Sequence, residues 1–481
     1  MSIETAILAD GQRVRFRSEM IGEGGMKEVY FTEDKSSVVC FFKGPSDPHR
    51  QSRLESVLGK FNPTLDGTSG HYWKGAYCWP TGIITSPRLG VLCPSYPSDY
   101  FFKTGPFQGK EKEGRWFTSK KLRAMLPEVE RGSWINYFAL CIKLSRAVRR
   151  LHQAGLAHSD LSNKNVLVDP SIGQSIVIDI DSLVVPTLYP PDVLGTPGYI
   201  APEVLETVHL PLNDPNRKHP CAQTDQHALS VLVYEYLLFR HPLRGKKVHS
   251  VVSAEEDEHL SMGAKALFIE HPTDKSNPPM QVEDTKVQYM ALGPHLRPLF
   301  EEAFVKGLHA PHQRPPAIAW ERALVKTWDL LHPCGNPSCP QKYFVLSDHN
   351  NVKCLFCGSK PKQKTIPVLL LRKEGKPGNW LQDAELVMHY DGTSGTRLHK
   401  WHVFDNVFPG ENITDADKQP LGYCVYYQDQ WLLVNQNLPT LTSPSGNRVP
   451  VGQAVALTDG ALIRLSQEPH GRMAQVKIVK P

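Results

Sequence analysis

Asp160 and Asn165 stand five residues apart within residues 151–183, and an acidic pair, Asp179 and Asp181, follows at the end of an apolar run. A carboxylate can orient a hydroxyl and accept its proton, and an amide carbonyl is a hard oxygen ligand for magnesium. A second carboxylate completes a metal site whose remaining ligands are phosphate oxygens. The set is equipment for holding a divalent cation beside a hydroxyl group.

Several elements must position these side chains. Residues 133–153 carry apolar side chains at helical intervals (Ile135, Phe138, Ala139, Ile142, Leu144, Val148, Leu151), which predicts a buried helix before Asp160. Residues 175–178 read as the strand that delivers Asp179. Upstream, residues 13–19 alternate like a strand and lead into Gly22, Gly24 and Gly25, which let backbone N–H groups approach a phosphate. A β-rich run over 37–43 ends in Lys43, and residues 50–58 offer Glu55 on a helix, either as the partner of Lys43 or as a surface residue. Residues 78–85 and 90–93 read as further strands, with a proline-bearing hinge over 94–97 and an apolar helix over 224–238. Residues 98–131 contain no usable motif.

Composition sets the outer bounds. The 481 residues are 40% hydrophobic and 21% charged, enough for two or three domains with cores of their own. No apolar run reaches membrane-spanning length and no secretory pattern opens the chain, so a cytoplasmic location is expected. Six of the ten cysteines are scattered singly, as buried apolar residues are. A net charge of +5 does not argue for nucleic acid.

His158-Ser159-Asp160-Leu161-Ser162-Asn163-Lys164-Asn165 resembles the H-R-D-L-x-x-x-N catalytic loop of protein kinases. Residues 22–29 resemble the G-x-G-x-x-G-x-V loop, with Lys27 in place of the third glycine. The run Gly195-Thr196-Pro197-Gly198-Tyr199-Ile200-Ala201-Pro202-Glu203 resembles the end of a kinase activation segment. The resemblance covers about 330 residues and implies a bilobal, α+β kinase fold, with an N-lobe over 1–97 and a C-lobe over 98–330.

Carried over residue by residue, it implies that Asp160 orients the acceptor hydroxyl and that Asn165 and Asp179 hold Mg2+ or Mn2+, with Asp181 as a second possibility for Asp179. Gly22, Gly24, Gly25, Val29, Lys43 and Glu55 would bind ATP, and Lys164 would supply a cation to the γ-phosphate. Thr196 should sit close to Asp160, Glu203 should pair with Arg314, and Asp225 should prop the catalytic loop. Ser159 stands where an arginine would dock a phosphorylated loop, so activation is expected not to need that contact. Thr187 and Tyr189, in a proline-rich segment, are candidate autophosphorylation sites.

Beyond the kinase-like region, Cys334 and Cys339 are followed by Cys354, Cys357 and Gly358. Four thiolates in two such pairs can surround a structural Zn2+, so residues 331–360 read as a zinc ribbon. Residues 361–481 alternate in short apolar runs separated by Gly and Asn turns, which predicts an all-β sandwich or barrel. His399-Lys400-Trp401-His402, 431–435 and 452–463 resemble a forkhead-associated domain, which implies either phosphopeptide binding or an intramolecular docking role.

Together these parts resemble bacterial Hanks-type Ser/Thr kinases found in cassettes with a phosphatase and a von Willebrand-type-domain protein, linked to tellurite resistance and stress. The expected partners are Ser/Thr-bearing proteins, that phosphatase and that von Willebrand-type protein, without membrane or nucleic acid. The departures at Lys27, Ser159, Ser162 and Asp181 leave open a pseudokinase scaffold that binds nucleotide and partners. Phosphotransfer to a small molecule is disfavoured by the peptide-substrate segment 196–203.

Overall fold

Alternating burial along the first hundred residues builds six antiparallel strands: β1 (Ile3–Leu8), β2 (Arg13–Glu23), β3 (Lys27–Thr32), β4 (Ser37–Phe42), β5 (Gly82–Ser86) and β6 (Gly90–Pro94). They close into a barrel in the order β1-β2-β3-β4-β6-β5. Successive side chains of a strand point to opposite faces, and β4 shows it. Val39 and Phe41 join Ala6, Leu8, Phe16 and Ile84 in one core cluster, while Cys40 and Phe42 join Leu54, Ile83, Leu89 and Val91 in another. Phe16, Tyr30 and Phe41 meet edge to face at 5.5–5.9 Å. Leu54 belongs to the helix Pro48–Leu58.

The computed structural model describes residues 2–24, 26–44, 48–185, 195–280 and 288–481. Gly25, Thr187 and Tyr189 lie outside the described residues. The chain divides into two compact units. The first comprises 1–132, 139–284 and 299–321, and the second 133–138, 285–298 and 322–481. Strand β1 was not expected from sequence, and the strand expected over 78–85 begins only at Gly82.

In the first unit the hairpin β7 (Val166–Asp169) and β8 (Gln174–Val177) follows the catalytic loop. The helix Ala222–Leu238 is buried along nearly its whole length. Its start is fixed by Thr224, whose Oγ1 accepts the Cys221 N–H at 2.9 Å. Tyr234, Phe268, Phe300, Phe304 and Trp320 pack ring against ring around it.

In the second unit β9 (Leu331–Pro333) and β10 (Tyr343–Val345) form a hairpin beside the clustered cysteines. Strands β11 (Ile366–Lys376), β12 (Asn379–Val387), β13 (Arg397–Leu398), β14 (Gly422–Tyr427), β15 (Gln430–Asn435), β16 (Ala454–Ala456), β17 (Leu462–Arg464) and β18 (Met473–Val479) follow. They make two four-stranded antiparallel sheets, β12-β11-β18-β17 and β13-β14-β15-β16. Leu369, Leu371, Ile463 and Val476 from the first sheet share one core with Cys424, Leu433 and Val455 from the second. Arg472 fastens this unit: it holds Asp383 through two bonds, at 2.7 and 3.1 Å, and donates to the carbonyl of Trp401 at 2.6 Å. Among the described residues no helix is long and apolar enough to cross a membrane.

Candidate active site

The loop between the helix Trp134–Gln153 and β7 is held from three sides. Asp225 Oδ2 accepts the His158 N–H at 2.7 Å, as the resemblance implied. His158 Nε2 lies 2.9 Å from the Ile178 carbonyl, and the Ile178 N–H donates to the Asn165 carbonyl at 3.0 Å. The last of these ties the strand end that carries Asp179 directly to Asn165. Ser159 adopts a left-handed backbone (φ 63°) and donates to Ser182 O at 3.2 Å. A short hydroxyl thus takes the place of an arginine.

The third support is one that sequence did not reveal. Residues 98–131 clamp the loop through backbone bonds: Gly114 N–H to Val166 O at 2.9 Å, Arg115 N–H to Asn163 O at 3.0 Å, and Val168 N–H to Lys112 O at 2.9 Å. Gly114 is required by close approach, since a Cβ there would lie 2.1 Å from Tyr236 Oη. Beneath it the Lys112 ammonium, fully buried, meets Glu130 at 2.8 Å and Asp169 at 3.3 Å. These are ordinary residue types far apart in the chain, so no local signal marks them.

Around Asp160 the expected constellation forms. Asn165 Nδ2 donates to Asp160 Oδ2 at 2.9 Å and to its carbonyl at 2.8 Å, and the Thr196 hydroxyl donates to Asp160 Oδ1 at 2.7 Å. With its amide nitrogen so engaged, Asn165 keeps its side-chain oxygen for a cation. Tyr199 donates to the buried Glu235. Desolvation pushes the Glu235 carboxyl up to about 7, against the pull of that hydrogen bond. Glu203 meets Arg314 through paired bonds of 2.7 and 2.8 Å, and Arg314 also donates to the carbonyls of Gly307, Leu308 and Gln223. Asp179 sits in a left-handed conformation (φ 62°) at the end of the strand.

The upstream residues are arranged differently from expectation. Lys43 does not meet Glu55: its Nζ lies 2.6 Å from Glu23, while exposed Glu55 accepts from Gln51 at 3.1 Å. Lys27 reaches the acidic pair instead. It donates to Asp179 and binds both oxygens of Asp181, at 2.8 and 3.0 Å. Burial alone would lower the Lys27 ammonium, but Asp181 and Asp179 outweigh it and hold it well above its ordinary value. Burial likewise pushes Asp179 up, and Lys27 beside it brings it below the usual carboxylate range. Lys164 is exposed, and its N–H donates to Ser162 Oγ at 3.3 Å.

Gly22 closes β2 opposite Val29, and Gly24 forms the turn by donating to Lys27 O at 2.9 Å. Among the described residues a Cβ on Gly24 would meet nothing nearer than that oxygen at 4.0 Å. Among the described residues neither packing nor a positive φ demands glycine at this position, so open space above the loop is what the residue preserves. That space fits a phosphate, and the carboxylate and amide oxygens at 160–181 fit a hard divalent cation.

In the second unit Cys334, Cys339, Cys354 and Cys357 bring their sulfurs within 4.8 Å of one another. Gly358 turns the chain away with φ +74° and donates its N–H to the Cys354 carbonyl at 2.7 Å. Burial pushes the Cys357 thiol up, but hydrogen bonds from Ser359 and from the neighbouring thiols draw it down to about 6.

Comparison with known proteins agrees with the first unit's geometry. A family model described as protein kinase domain matches residues 129–305. Serine/threonine-protein kinase PknD of Chlamydia felis is 27% identical over 269 residues, covering 49% of this chain and 26% of the relative. PknD of Chlamydia abortus is 25% identical over the same length and the same shares. The chain thus spans about a quarter of the length of the curated relatives it matches. A solved kinase domain of a Toxoplasma gondii specific rhoptry antigen aligns at a TM-score of 0.40 and 14% identity, over 67% of this chain and 86% of that one, too low a likeness to add weight. Residues 129–305 are thus similar to a protein kinase domain, and Asp160, Asn165, Asp179 and Thr196 lie inside the matched stretch.

Proposed function

We propose that this chain is an ATP- and Mg2+-dependent protein kinase that transfers the γ-phosphoryl group to Ser or Thr hydroxyls of proteins in the cytoplasm of a bacterium. The observation that carries this reading is the meeting of Thr196, Asp160 and Asn165 in one hydrogen-bonded set next to Asp179. Bound divalent cations would offset phosphate charge and polarise the transferred group. The chain's own contribution is positioning. Asp160 aligns the acceptor hydroxyl and receives its proton, Asn165 and Asp179 present oxygens to the metal, and Gly24, whose missing side chain leaves room above the turn, lets the phosphates approach. Lys164, exposed beside Asn165, is the cation for the transferred group. Glu203, locked by Arg314, holds the platform on which Thr196 sits.

The test is incorporation of label from γ-labelled ATP and Mg2+ into Ser or Thr of the chain itself or of casein. The expected result is Mg2+-dependent labelling. Absence of label together with thermal stabilisation by ATP would instead support a nucleotide-binding scaffold.

The cysteine cluster is proposed to be a structural zinc ribbon, because tetrahedral Zn–S bonds of about 2.3 Å place sulfurs roughly 3.8 Å apart. The observed 3.4 Å for Cys334–Cys357 and 3.9 Å for Cys339–Cys354 fit that spacing. Elemental measurement is expected to give one zinc per chain. Chelation, or Cys354→Ser, is expected to lower the melting temperature of the second unit by several degrees; a metal-free protein of unchanged stability would refute the assignment.

The two sheets sharing a core are proposed to be a forkhead-associated-like sandwich. His399 stacks on Trp401 at 4.4 Å and lies 3.0 Å from the Lys418 carbonyl, while His402 lies 3.3 Å from Asp329. Both rings being engaged within the unit favours a docking role over phosphopeptide capture. A cognate phosphatase and a von Willebrand-type-domain protein are the proposed partners.

A further inference from the structure

The alternation of side chains in β3 and β4 brings an unexpected residue to the acidic pair Asp179 and Asp181. Lys27 pairs across the ladder with Phe42, and Val29 with Cys40. Residues opposite one another share a face, and Val29, Cys40 and Phe42 do pack together with Leu54. Phe42, its ring covered by Arg50 at 5.0 Å, therefore fills the position from which a strand lysine would enter the site. Lys43 is the next residue and falls on the other face, where Glu23, Glu28 and Arg88 gather. The ammonium that does reach Asp179 and Asp181 comes from the glycine loop.

We infer that Lys27, and not Lys43, is the residue that positions the nucleotide phosphates, and that Asp181 is its anchor. The inference rests on the kinase reading above and assigns separate tasks to the two carboxylates. Asp181 is almost fully buried and holds Lys27 through two bonds, so it plays the part for which a helix glutamate was expected. Asp179 is about a third exposed and makes one bond to Lys27, so it is the carboxylate that can turn to a divalent cation while Lys27 stays in place. The arrangement also accounts for Glu55: with its role taken by Asp181, nothing draws it into the site. Asp181 in place of a glycine and Lys27 in place of another are then two halves of one device.

The experiment compares Lys27→Met, Lys43→Met, Lys27→Gly and the relocation variant Lys27→Gly/Phe42→Lys in the full chain. It reads kcat and KM for ATP, and, without turnover, the dissociation constant of a fluorescent ATP analogue with Mg2+. Lys27→Met is expected to lower kcat/KM by roughly a hundredfold or more and to weaken the analogue. Lys43→Met is expected to stay within about threefold of wild type. Returning the ammonium to the strand in Lys27→Gly/Phe42→Lys is expected to restore at least about tenfold of what Lys27→Gly alone loses, which a purely structural role would not produce. Lys27→Met/Asp181→Asn provides a charge-balanced version should the single variant fold poorly.

A loss on Lys43→Met with full activity in Lys27→Met would overturn the inference while leaving the kinase reading intact. No transfer by wild type would sink the kinase reading, and the analogue would still decide the inference: weakened binding to Lys27→Met upholds it, unchanged binding ends it.

Discussion

Asp160→Ala is expected to slow phosphoryl transfer by roughly a thousandfold while leaving nucleotide affinity within about threefold of wild type. Both oxygens of the carboxylate are already oriented, one by Thr196 at 2.7 Å and the other by Asn165 at 2.9 Å. A base held from two sides loses little in ordering when a hydroxyl arrives, and that advantage vanishes with the side chain. The fold should tolerate the change, because Asn165 keeps its bond to the backbone carbonyl of residue 160. Initial rates with labelled ATP, paired with binding of a fluorescent analogue, separate the two quantities. Transfer within tenfold of wild type would mean that another group aligns the acceptor.

Lys112→Met is expected to cost about 3–5 kcal/mol, because it strands two carboxylates away from water. The Lys112 side chain is 1% exposed, and Glu130 and Asp169 are 6% and 4% exposed. Each carboxylate has other donors: Glu130 accepts the Lys103 N–H at 2.8 Å, and Asp169 the Ser171 hydroxyl at 2.6 Å. None of these donors is charged, however. A domain of this size should melt about 10 °C lower. Replacing all three (Lys112→Met, Glu130→Gln, Asp169→Asn) should recover part of the loss, since no charge is then left alone. Burial pushes Glu130 up, but Lys112 and the Lys103 N–H hold it below its ordinary value. Its share of stability is therefore present at neutral pH and fades as acid protonates the folded carboxylate. Thermal melts of the two variants from pH 4 to 8 check both statements; a single variant as stable as wild type would show that the cluster is not strained by losing its cation.

The parts of the site that could be read from sequence are those where chemistry and chain spacing coincide. Asp160 and Asn165 lie on one loop, Thr196 and Glu203 on one segment, and each needs only its own backbone to be placed. Arg314 and Asp225 were legible because their partners were. Lys43 meets Glu23 and not Glu55 for a reason specific to strands: a shift of one residue sends a side chain to the opposite face, and spacing along the chain does not reveal that Phe42 is the residue opposite Lys27. The clamp of residues 98–131 was illegible because Lys112, Glu130 and Asp169 are common residues that acquire meaning only when burial brings them together. Strand β1 escaped notice because it buries just Ala6 and Leu8. Over 361–481 the short apolar runs announce strands, since Gly and Asn turns punctuate them. Which strands share a sheet depends on long-range pairing, as between β11 and β18, and short-range patterns carry no trace of it.

One consequence follows from β1 joining β2 on one side and β5 on the other. A sheet that ends in free N–H and C=O groups invites a visiting peptide to extend it. Where the ring closes, Ile7 and Leu8 of β1 stand against Ser86 and Ile84 of β5 and spend those groups within the barrel, so no visiting strand can be added at that point.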